Sequence, residues 1–231
     1  MRTWLLVAAE RGEFAGILKR FGAAVRLSWT AEFACEARHG GDRFLMIANG
    51  PGSRLVEKAL EKKIEVDGII STGFCGALDE SLRVGDIVIG AESGLGNAPG
   101  VRSRDGLGPR AFANAEVVCI DRVIVTAGEK RALRQKTGAA AVEMESAAVA
   151  AKAAEWGVPF RLIRAVSDEA AEDLPLDFNL YRDAEGRFSR GRIALAALAR
   201  PFTRVPALLR LDRNTKVAAR SLGDYFADCR L

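Results

Sequence analysis

The stretch that most constrains the fold of this chain runs from Ala140 to Asp177, where a helical pattern lies between two apolar segments. The first segment is short and leads into Glu143 and Glu145. Alanine and valine then recur at helical spacing, and the pattern ends at Gly157-Val158-Pro159, because glycine and proline terminate helices. The second segment, Phe160 to Val166, is mostly apolar and is predicted to be a strand buried on both faces of a sheet.

Ser167 and Asp168 come directly after that second strand. A strand, a helix and a strand in this order predict a βαβ unit with two adjacent parallel strands. Each strand ends in a carboxylate: Glu143 or Glu145 in the first, Asp168 in the second. Open α/β sheets bind ligands at the carboxyl ends of their strands. The stretch therefore predicts an α/β fold with acidic side chains at its ligand-binding edge.

The composition is typical of a globular protein with one hydrophobic core. The 231 residues are 49% hydrophobic and 28% charged, and this length favours a single domain over residues 1–231. No run of about 18 apolar residues occurs, so no membrane-spanning helix is predicted. The first residues are predicted to form a strand rather than a signal peptide, because Glu10 and Arg11 interrupt the apolar run.

Cysteine, histidine and charge content exclude several kinds of site. The four cysteines, Cys35, Cys75, Cys119 and Cys229, lack zinc-type spacing, and scattered thiols are typical of a reduced, cytoplasmic protein. The single histidine excludes a histidine-rich metal site, and no metal or cofactor is expected. The net charge of +4 is modest and no recognition motif is present, so nucleic-acid binding is not expected.

Four short segments, in a fixed order, carry a resemblance to a known family. Val142-Glu143-Met144-Glu145-Ser146 and Arg164-Ala165-Val166-Ser167-Asp168 resemble the nucleoside phosphorylase/nucleosidase superfamily. Thr72-Gly73-Phe74-Cys75-Gly76-Ala77-Leu78 and Val84-Gly85-Asp86-Ile87-Val88 resemble two further segments of it. Over residues 3–178 the chain is most similar to methylthioadenosine/S-adenosylhomocysteine nucleosidases and hopanoid-associated phosphorylase-like proteins. The resemblance implies a homo-oligomer with a three-layer αβα fold around a central mixed, largely parallel sheet.

The implied reaction, cleavage of the N-glycosidic bond of a purine nucleoside, requires three chemical tasks. The departing purine must be protonated, and Asp168 is the expected acid, since burial at a strand end favours its protonated form. Ser167 is expected to orient it. The ribose hydroxyls need an acceptor, which Glu145 supplies at a helix N-terminus, while Met144 packs on the ribose. Glu143 points away from Met144 and is expected to be structural.

The third task is activation of a water molecule. Nucleosidases of the family carry a carboxylate for this task just after the first strand, predicted here at residues 3–8 and followed by a helix from Phe14 to Phe21. The turn between them holds two candidates. Alignment on the start of the helix selects Glu13, and Glu10 is the alternative. Either carboxylate is also explained by the favourable field at a helix N-terminus.

Two glycine-containing segments are expected to bring the backbone close to the ligand. Asn49-Gly50-Pro51-Gly52 precedes a helix predicted at 53–63. By itself this turn is equally a tight strand-to-helix connection, but the resemblance, which includes a Gly-x-Gly turn at this place, implies that Gly50 presents its N–H to a ligand oxygen. Gly73 and Gly76 follow a strand predicted at 68–71 and lack the Cβ that would obstruct a ligand.

The chain departs from the family where phosphate and purine are expected to bind. Phosphorolytic members place an arginine where Ser71 stands and a hydroxyl residue where Phe74 stands. Because a phosphate dianion needs a cationic clamp, these replacements favour water as nucleophile unless an arginine arrives from another loop or subunit. The Phe-Ile pair that sandwiches the purine in similar nucleosidases is replaced by Thr126-Ala127-Gly128-Glu129. Phe74 is the expected substitute.

The remaining segments between the motifs are less informative. Residues 92–114 are rich in glycine, proline and arginine and are predicted to form a long loop at the site entrance. A strand at 117–126 and a helix at 129–137 are predicted after it.

The C-terminal segment, residues 179–231, is predicted to be an arginine- and leucine-rich helical extension. Pro201 and Pro206 are expected to divide it into short helices. One interpretation is a helix that packs on the domain with a solvated basic face. The other is an amphipathic segment that contacts anionic lipid at the inner face of the membrane. The second interpretation fits a lipid-linked nucleoside substrate.

Three functions remain open on this basis. The first is a purine nucleosidase acting on a small thioether nucleoside or on a lipid-linked adenosine, such as adenosylhopane in hopanoid biosynthesis. The second is a phosphate-dependent nucleoside phosphorylase. The third is a nucleoside-binding protein without turnover, since a fold does not certify activity. The presence of Asp168, Glu145 and Glu13 favours an enzyme.

Overall fold

A computed structural model describes residues 1–90 and 111–228, the side chains of residues 111–114 excepted. The strands are β1 Thr3–Ala8, β2 Ala24–Arg26, β3 Phe33–His39, β4 Asp42–Ala48, β5 Gly68–Ala77, β6 Ile87–Gly90, β7 Ala111–Ala115, β8 Val117–Cys119, β9 Ala141–Glu143 and β10 Phe160–Asp168. The α-helices are α1 Ala15–Phe21, α2 Ser53–Ala59, α3 Ala127–Thr137, α4 Ser146–Trp156, α5 Arg190–Leu198 and α6 Pro201–Asp228. Short 3₁₀ helices occupy Arg11–Phe14 and Phe178–Tyr181.

The ten strands of the described residues belong to one mixed sheet with a parallel centre. The order is β2-β3-β4-β1-β5-β10-β6-β7, with β9 paired to β5 and β8 paired to β9. The four central strands, β4, β1, β5 and β10, run parallel. Antiparallel pairs flank them on both sides. The predicted α/β class with a mixed, largely parallel sheet is confirmed.

The alternating side chains of β1 explain why helices cover both faces of the sheet. Trp4, Leu6 and Ala8 lie in one core cluster with residues of α1 and α6. Leu5 and Val7 lie in another with residues of α2 and α4. Successive strand residues point to opposite faces, and all five are buried. The result is the three-layer αβα arrangement that the sequence predicts.

The two acidic segments of the βαβ stretch do not form the adjacent parallel pair predicted for them. Strand β5 lies between β9 and β10, and β9 runs antiparallel to β5. Strand β9 has three residues and contacts β5 only at Gly76 and Ala77, near the end of that strand. Helix α4 then leads to the first residue of β10. Val142 and Asp168 both pair with Gly76, so the end of β5 still brings the acidic segments together.

Several element boundaries differ from the prediction. The strand predicted at 68–71 continues to Ala77, because β10 pairs with it as far as Gly76. The helix predicted at 53–63 ends at Ala59, and the strand predicted at 117–126 ends at Cys119. The predicted loop at 92–114 falls outside the described residues up to 110, and its last residues belong to β7.

Helix α6 is continuous over 28 residues and is not broken at Pro206. Pro201 opens the helix, a position where the missing N–H costs nothing. Pro206 removes only the hydrogen bond to the carbonyl of Phe202. Phe202 lies on the solvent side of the helix and is 94% exposed, so water can donate a hydrogen bond to that carbonyl. None of the helices in residues 1–90 and 111–228 combines the length and apolar character needed to cross a bilayer.

The second half of α6 belongs to the main core. Ala218, Leu222 and Phe226 are buried in the same cluster as residues of β1 and α1. Glycines allow the two helices to touch, since a Cβ on Gly223 would lie 2.9 Å from the Cα of Gly16. The end of the chain therefore supports the sheet beneath the site.

Candidate active site

A cavity of about 420 Å³ opens beside the end of β5, a size suited to a small ligand. Six of the residues that the sequence assigns to the site contribute to its wall: Glu13, Phe74, Met144, Glu145, Ser167 and Asp168. The described wall does not include Gly50 or Gly73, which act from behind it, as detailed below.

Glu13 lies inside this cavity wall and is 6% exposed. Its two carboxylate oxygens accept the backbone N–H groups of Phe74 at 2.8 Å and Glu10 at 2.9 Å. Burial raises the pKa of Glu13, while the Arg164 guanidinium and the two N–H groups lower it. The alternative, Glu10, lies at the rim and forms an ion pair with Arg190 at 3.0 Å. Of the two candidates, Glu13 is the one enclosed with the other site carboxylates.

Gly73 makes room for Glu13 rather than for a ligand. Its φ of +125° is one that residues with a side chain rarely adopt. A Cβ here would lie 2.7 Å from Oε1 of Glu13 and 2.9 Å from Nη1 of Arg164. Gly73 therefore permits the close approach of these two charged groups, which differs from the role expected from the sequence.

Arg164 is the centre of the charged network, and the sequence reasoning gave it no role. It is fully buried in β10 and donates to Ser71 Oγ and to the Thr72 carbonyl, each at 2.8 Å. It also forms ion pairs with Glu143 and, at 3.4 Å, with Glu145. The position of Arg164 between apolar residues of a predicted buried strand was the available signal, because a buried cation needs a carboxylate partner.

Glu143 has a structural position at the start of α4. Besides its ion pair with Arg164, it accepts the backbone N–H groups of Glu145 at 3.0 Å and Ser146 at 2.9 Å. These bonds use the N–H groups that a helix leaves unpaired at its first turn. Both carboxylate oxygens of Glu143 therefore already have hydrogen-bond donors within the protein.

Glu145 is left facing the cavity at the N-terminus of α4, with 3% of the residue exposed. Burial raises its pKa to about 7; Arg164 opposes this shift, and the neighbouring Glu143 and Glu13 add to it. Its Oε1 accepts the N–H of Gly52 at 2.9 Å. The carboxylate is therefore held in place and close to changing its protonation state near neutral pH.

In the glycine turn before α2, the N–H groups of Gly50 and Gly52 are bonded to other protein groups and are not free donors for a ligand. The N–H of Gly50 donates to the Ala9 carbonyl at 2.8 Å, and that of Gly52 binds Glu145. A Cβ on Gly50 would lie 2.7 Å from the Leu55 side chain. The turn thus positions a site carboxylate, and Gly50 lies one step behind the cavity.

Asp168 ends β10 with both carboxylate oxygens engaged. Ser167 Oγ donates to Oδ1 at 2.8 Å, the contact expected from the sequence. Lys130 Nζ donates to Oδ2 at 2.6 Å. Lys130 escaped the sequence reasoning because it stands between Glu129 and Arg131 in a charged stretch typical of an exposed helix surface.

The electrostatics of the cavity disfavour an anionic ligand. Three carboxylates surround the single Arg164 guanidinium: Glu13, Glu143 and Glu145. The other arginines on the described wall, Arg122 and Arg190, each form an ion pair with a glutamate of their own. In this part of the chain, no unpaired cation is available to hold a phosphate dianion in the cavity.

Another part of the wall is apolar and comes largely from the C-terminal third of the chain. Its members are Val123, Ile124, Leu174, Phe178, Phe188, Ile193 and Leu211. Phe178 and Phe188 meet edge to face, with ring centroids 6.0 Å apart. The cavity therefore combines an acidic region with an apolar one.

Comparison with known proteins identifies relatives of this architecture. A family model described as "Phosphorylase superfamily" matches residues 32–116 and 113–203. A 5'-methylthioadenosine/S-adenosylhomocysteine nucleosidase of Shewanella oneidensis is 34% identical over 153 residues, which are 53% of this chain and 64% of that relative. The corresponding protein of Shewanella sediminis is 32% identical over 161 residues, 56% of this chain and 69% of its own length.

Solved structures extend the likeness in fold to nearly the whole chain. The Neisseria meningitidis nucleosidase of the same name, in complex with methylthio-immucillin-A, covers 99% of this chain and 100% of its own, with a TM-score of 0.66 and 21% identity. Futalosine hydrolase of Helicobacter pylori covers 99% and 98%, with a TM-score of 0.63 and 16% identity.

The predicted end of the likeness at residue 178 is therefore wrong for the fold. The superposition with the Neisseria meningitidis structure covers 99% of this chain, so helices α5 and α6 lie within it. With its family model matched over residues 32–203 and its three-layer fold shared with solved nucleosidases, this chain belongs to the phosphorylase superfamily.

Proposed function

We propose that this protein hydrolyses the N-glycosidic bond of an adenine nucleoside. The observation that carries the proposal is one cavity that joins Glu13, Glu145 and Asp168 around a buried arginine, without a free cation for phosphate. The relatives support it by their names, which describe nucleosidases for 5'-methylthioadenosine and S-adenosylhomocysteine.

Asp168 is the proposed acid for the leaving group. As the bond between C1′ of the ribose and N9 of the purine breaks, its electron pair moves onto the base. Protonation of the base at N7 by Asp168 Oδ1 neutralises that developing charge. Ser167 holds the same oxygen from one side, and Phe74 on the cavity wall provides an apolar surface for the purine.

Glu13 is the proposed base for the attacking water. The N–H groups of Phe74 and Glu10 fix its two oxygens, and each oxygen retains a second acceptor site for a water proton. Its raised pKa makes the carboxylate a stronger base than a solvent-exposed glutamate. The water oxygen then bonds to C1′ of the ribosyl cation while its proton moves to Glu13.

Glu145 is the proposed acceptor for the ribose hydroxyls. Gly52 orients the carboxylate through Oε1, and its charged form, favoured above about pH 7, accepts the 2′- and 3′-OH groups. Met144 on the cavity wall packs against the sugar. Hydrogen bonds to a charged acceptor contribute about 1.5–3 kcal/mol each.

The group at the 5′ position of the nucleoside is proposed to be apolar. The apolar wall described above supports a thioether, and equally the first part of a lipid-linked adenosine such as adenosylhopane. Exposed apolar residues on α5 and at the start of α6, Leu195, Leu198 and Phe202, support contact with a membrane surface by a cytoplasmic homo-oligomer. A small thioether nucleoside is the alternative that needs no such contact.

A pair of matched substitutions tests the assignment of the base. Glu13→Gln removes the carboxylate that accepts the water proton, and we expect adenine release from methylthioadenosine to fall by roughly 10²–10⁴-fold. Glu10→Gln changes a rim residue three positions away and is expected to retain most of the activity. Release of adenine is measured by chromatography under single-substrate conditions. Equal losses in both variants, or none in Glu13→Gln, would refute the assignment.

A further inference from the structure

Lys130 is a buried cation to which the proposed reaction assigns no task. It lies on α3 with 1% of the residue exposed and is among the largest fully buried side chains of the described residues. Its ammonium donates to Oδ2 of Asp168 at 2.6 Å, whereas Ser167 donates to the other carboxylate oxygen, Oδ1. Burying a charge at this depth is costly unless every donor is satisfied.

All three ammonium donors of Lys130 are used. Besides Asp168, they reach the backbone carbonyls of Glu169 at 2.7 Å and Glu172 at 3.0 Å. The two carbonyls are neutral, so Asp168 is the partner that balances its charge. The ion pair has side-chain exposures of 1% and 12%, and a pair this well buried is little screened by solvent.

The surrounding backbone fixes the ammonium relative to the end of β10. Thr126 and Glu129 form a reciprocal cap at the start of α3. The N–H of Ala127 donates to Asp173 at 2.7 Å, and the N–H of Leu174 donates to the Val125 carbonyl at 2.8 Å. Helix α3 and the loop after Asp168 are thus tied together on both sides of the lysine.

We propose that Lys130 is a positioning residue for the leaving-group acid: it holds Oδ2 of Asp168 so that Oδ1 carries the proton, and it stabilises the carboxylate that remains after proton transfer. This inference deepens the proposed function and rests on it. In the proposed step, the O–H bond at Oδ1 breaks as the N–H bond at N7 forms. The ammonium keeps its three protons, and Asp168 regains its own from water after the base departs.

In the part of the chain that the structure describes, Lys130 is the cation that directly contacts this carboxylate. The other ionisable groups near Asp168 are carboxylates, one thiol and one distant guanidinium: Glu169, Glu172, Glu13, Glu143, Glu145, Cys75 and Arg164. Burial raises the pKa of the Cys75 thiol, which therefore stays neutral. Arg164 is bound to Glu143 and Glu145. Among the described residues, removing Lys130 therefore leaves Asp168 without a cation in direct contact.

The sharpest test is the pH dependence of kcat/KM in Lys130→Met. The substitution removes the positive charge that lies 2.6 Å from Oδ2 of the proposed acid, so the alkaline limb of the rate profile is expected to move to higher pH. The rate at the optimum falls roughly tenfold or more, since the acid is no longer aligned. Lys136→Met, an exposed lysine on the same helix, is the matched control and leaves both quantities unchanged.

A second substrate separates alignment of the acid from general damage. A nitrophenyl riboside has a leaving group that needs no proton, so Lys130→Met should cleave it at a rate close to wild type. If the variant loses both substrates equally while remaining folded, or if its alkaline limb does not move, the proposal is overturned. If wild type cleaves neither substrate, the proposed function fails first.

A measurement on the unmodified protein covers the case in which Lys130→Met does not fold. The ¹⁵N NMR signal of a buried, fully bonded ammonium should respond to the charge on Asp168. It should titrate at the same pH as the alkaline limb of the rate profile and lose that response in Asp168→Asn. A signal that does not change across that pH range contradicts the proposal, whether or not the protein turns over a nucleoside.

Discussion

At the residue scale, burial and one arginine act together on two carboxylates of the site, Glu13 and Glu145. Burial raises the pKa of Glu13 and of Glu145, and Arg164 limits both shifts. Glu143 forms an ion pair with the same guanidinium and also accepts the backbone N–H of Ser146 at the start of α4. Similar side chains therefore take different roles because their surroundings differ.

The raised pKa of Glu145 predicts a specific dependence of stability on pH. Its folded-state value of about 7 lies above the ordinary value of 4.5, so the native state binds the extra proton between these values. The free energy of unfolding therefore falls as pH rises from 4.5 to 7, by roughly 3 kcal/mol for this group. Glu145→Gln removes the titration while keeping an acceptor for Gly52.

Urea unfolding of wild type and Glu145→Gln at pH 5 and pH 7.5 measures this effect. Wild type should lose more stability over that interval than the variant does. Glu13 is retained in both proteins, and because its charge also raises the pKa of Glu145, the difference between the two proteins includes the interaction of these two carboxyls. Identical losses in the two proteins would show that Glu145 titrates as an ordinary exposed carboxyl.

At the element scale, the end of β5 organises the site. Val142 and Asp168 both pair with Gly76 there, which brings Glu145 and Asp168 to one cavity. The strand-helix-strand order of 140–177 could be predicted, because helical spacing and the glycine-proline stop are local signals. The direction of β9 could not, since three residues carry no periodicity and their pairing is decided by distant strands.

The contact between α1 and α6 gives an element-scale prediction. Gly223→Ala places a methyl group 2.9 Å from the Cα of Gly16, where only backbone can yield. We expect the free energy of unfolding to fall by about 1–3 kcal/mol. Gly191→Ala in α5 is the control, because a Cβ there meets nothing within 4 Å, and it should be neutral or slightly stabilising. Denaturant titration checks both, and an unaffected Gly223→Ala would disprove the tight packing.

At the scale of the whole molecule, the C-terminal segment is where sequence and structure differ most. Its helical character was predictable from composition, but its contribution to the core was not. Leu222 and Phe226 look like other apolar residues of an arginine-rich segment until their contacts with α1 and β1 are known. The buried partners of Lys130 and Arg164 were hidden for the same reason, because each depends on residues far away in the chain.

The exposed apolar residues of α5 and α6 allow a test of membrane contact. Truncation before α6 would remove core residues, so substitutions at the surface are the suitable variants. Leu198 and Phe202 are 65% and 94% exposed. Combined replacement by serine should abolish sedimentation with anionic vesicles, since each nearby arginine adds only about 1 kcal/mol. Val25→Ser, at a 67% exposed site on β2, is the control.

Binding of wild type to anionic vesicles should weaken with salt and should be absent with neutral vesicles. If wild type sediments with neither kind of vesicle, the lipid-linked substrate loses its support, and a small thioether nucleoside becomes the favoured substrate.

The measurement that tests the central claim most directly is the product of methylthioadenosine turnover with and without phosphate. The cavity has an excess of carboxylates and, on its described wall, no unpaired cation, so water is the expected nucleophile. We predict free adenine and methylthioribose at the same rate in phosphate-free buffer and in about 50 mM phosphate, which lies well above typical KM values of about 1 μM to 1 mM. Strict dependence on phosphate, with a ribose 1-phosphate product, would contradict the account.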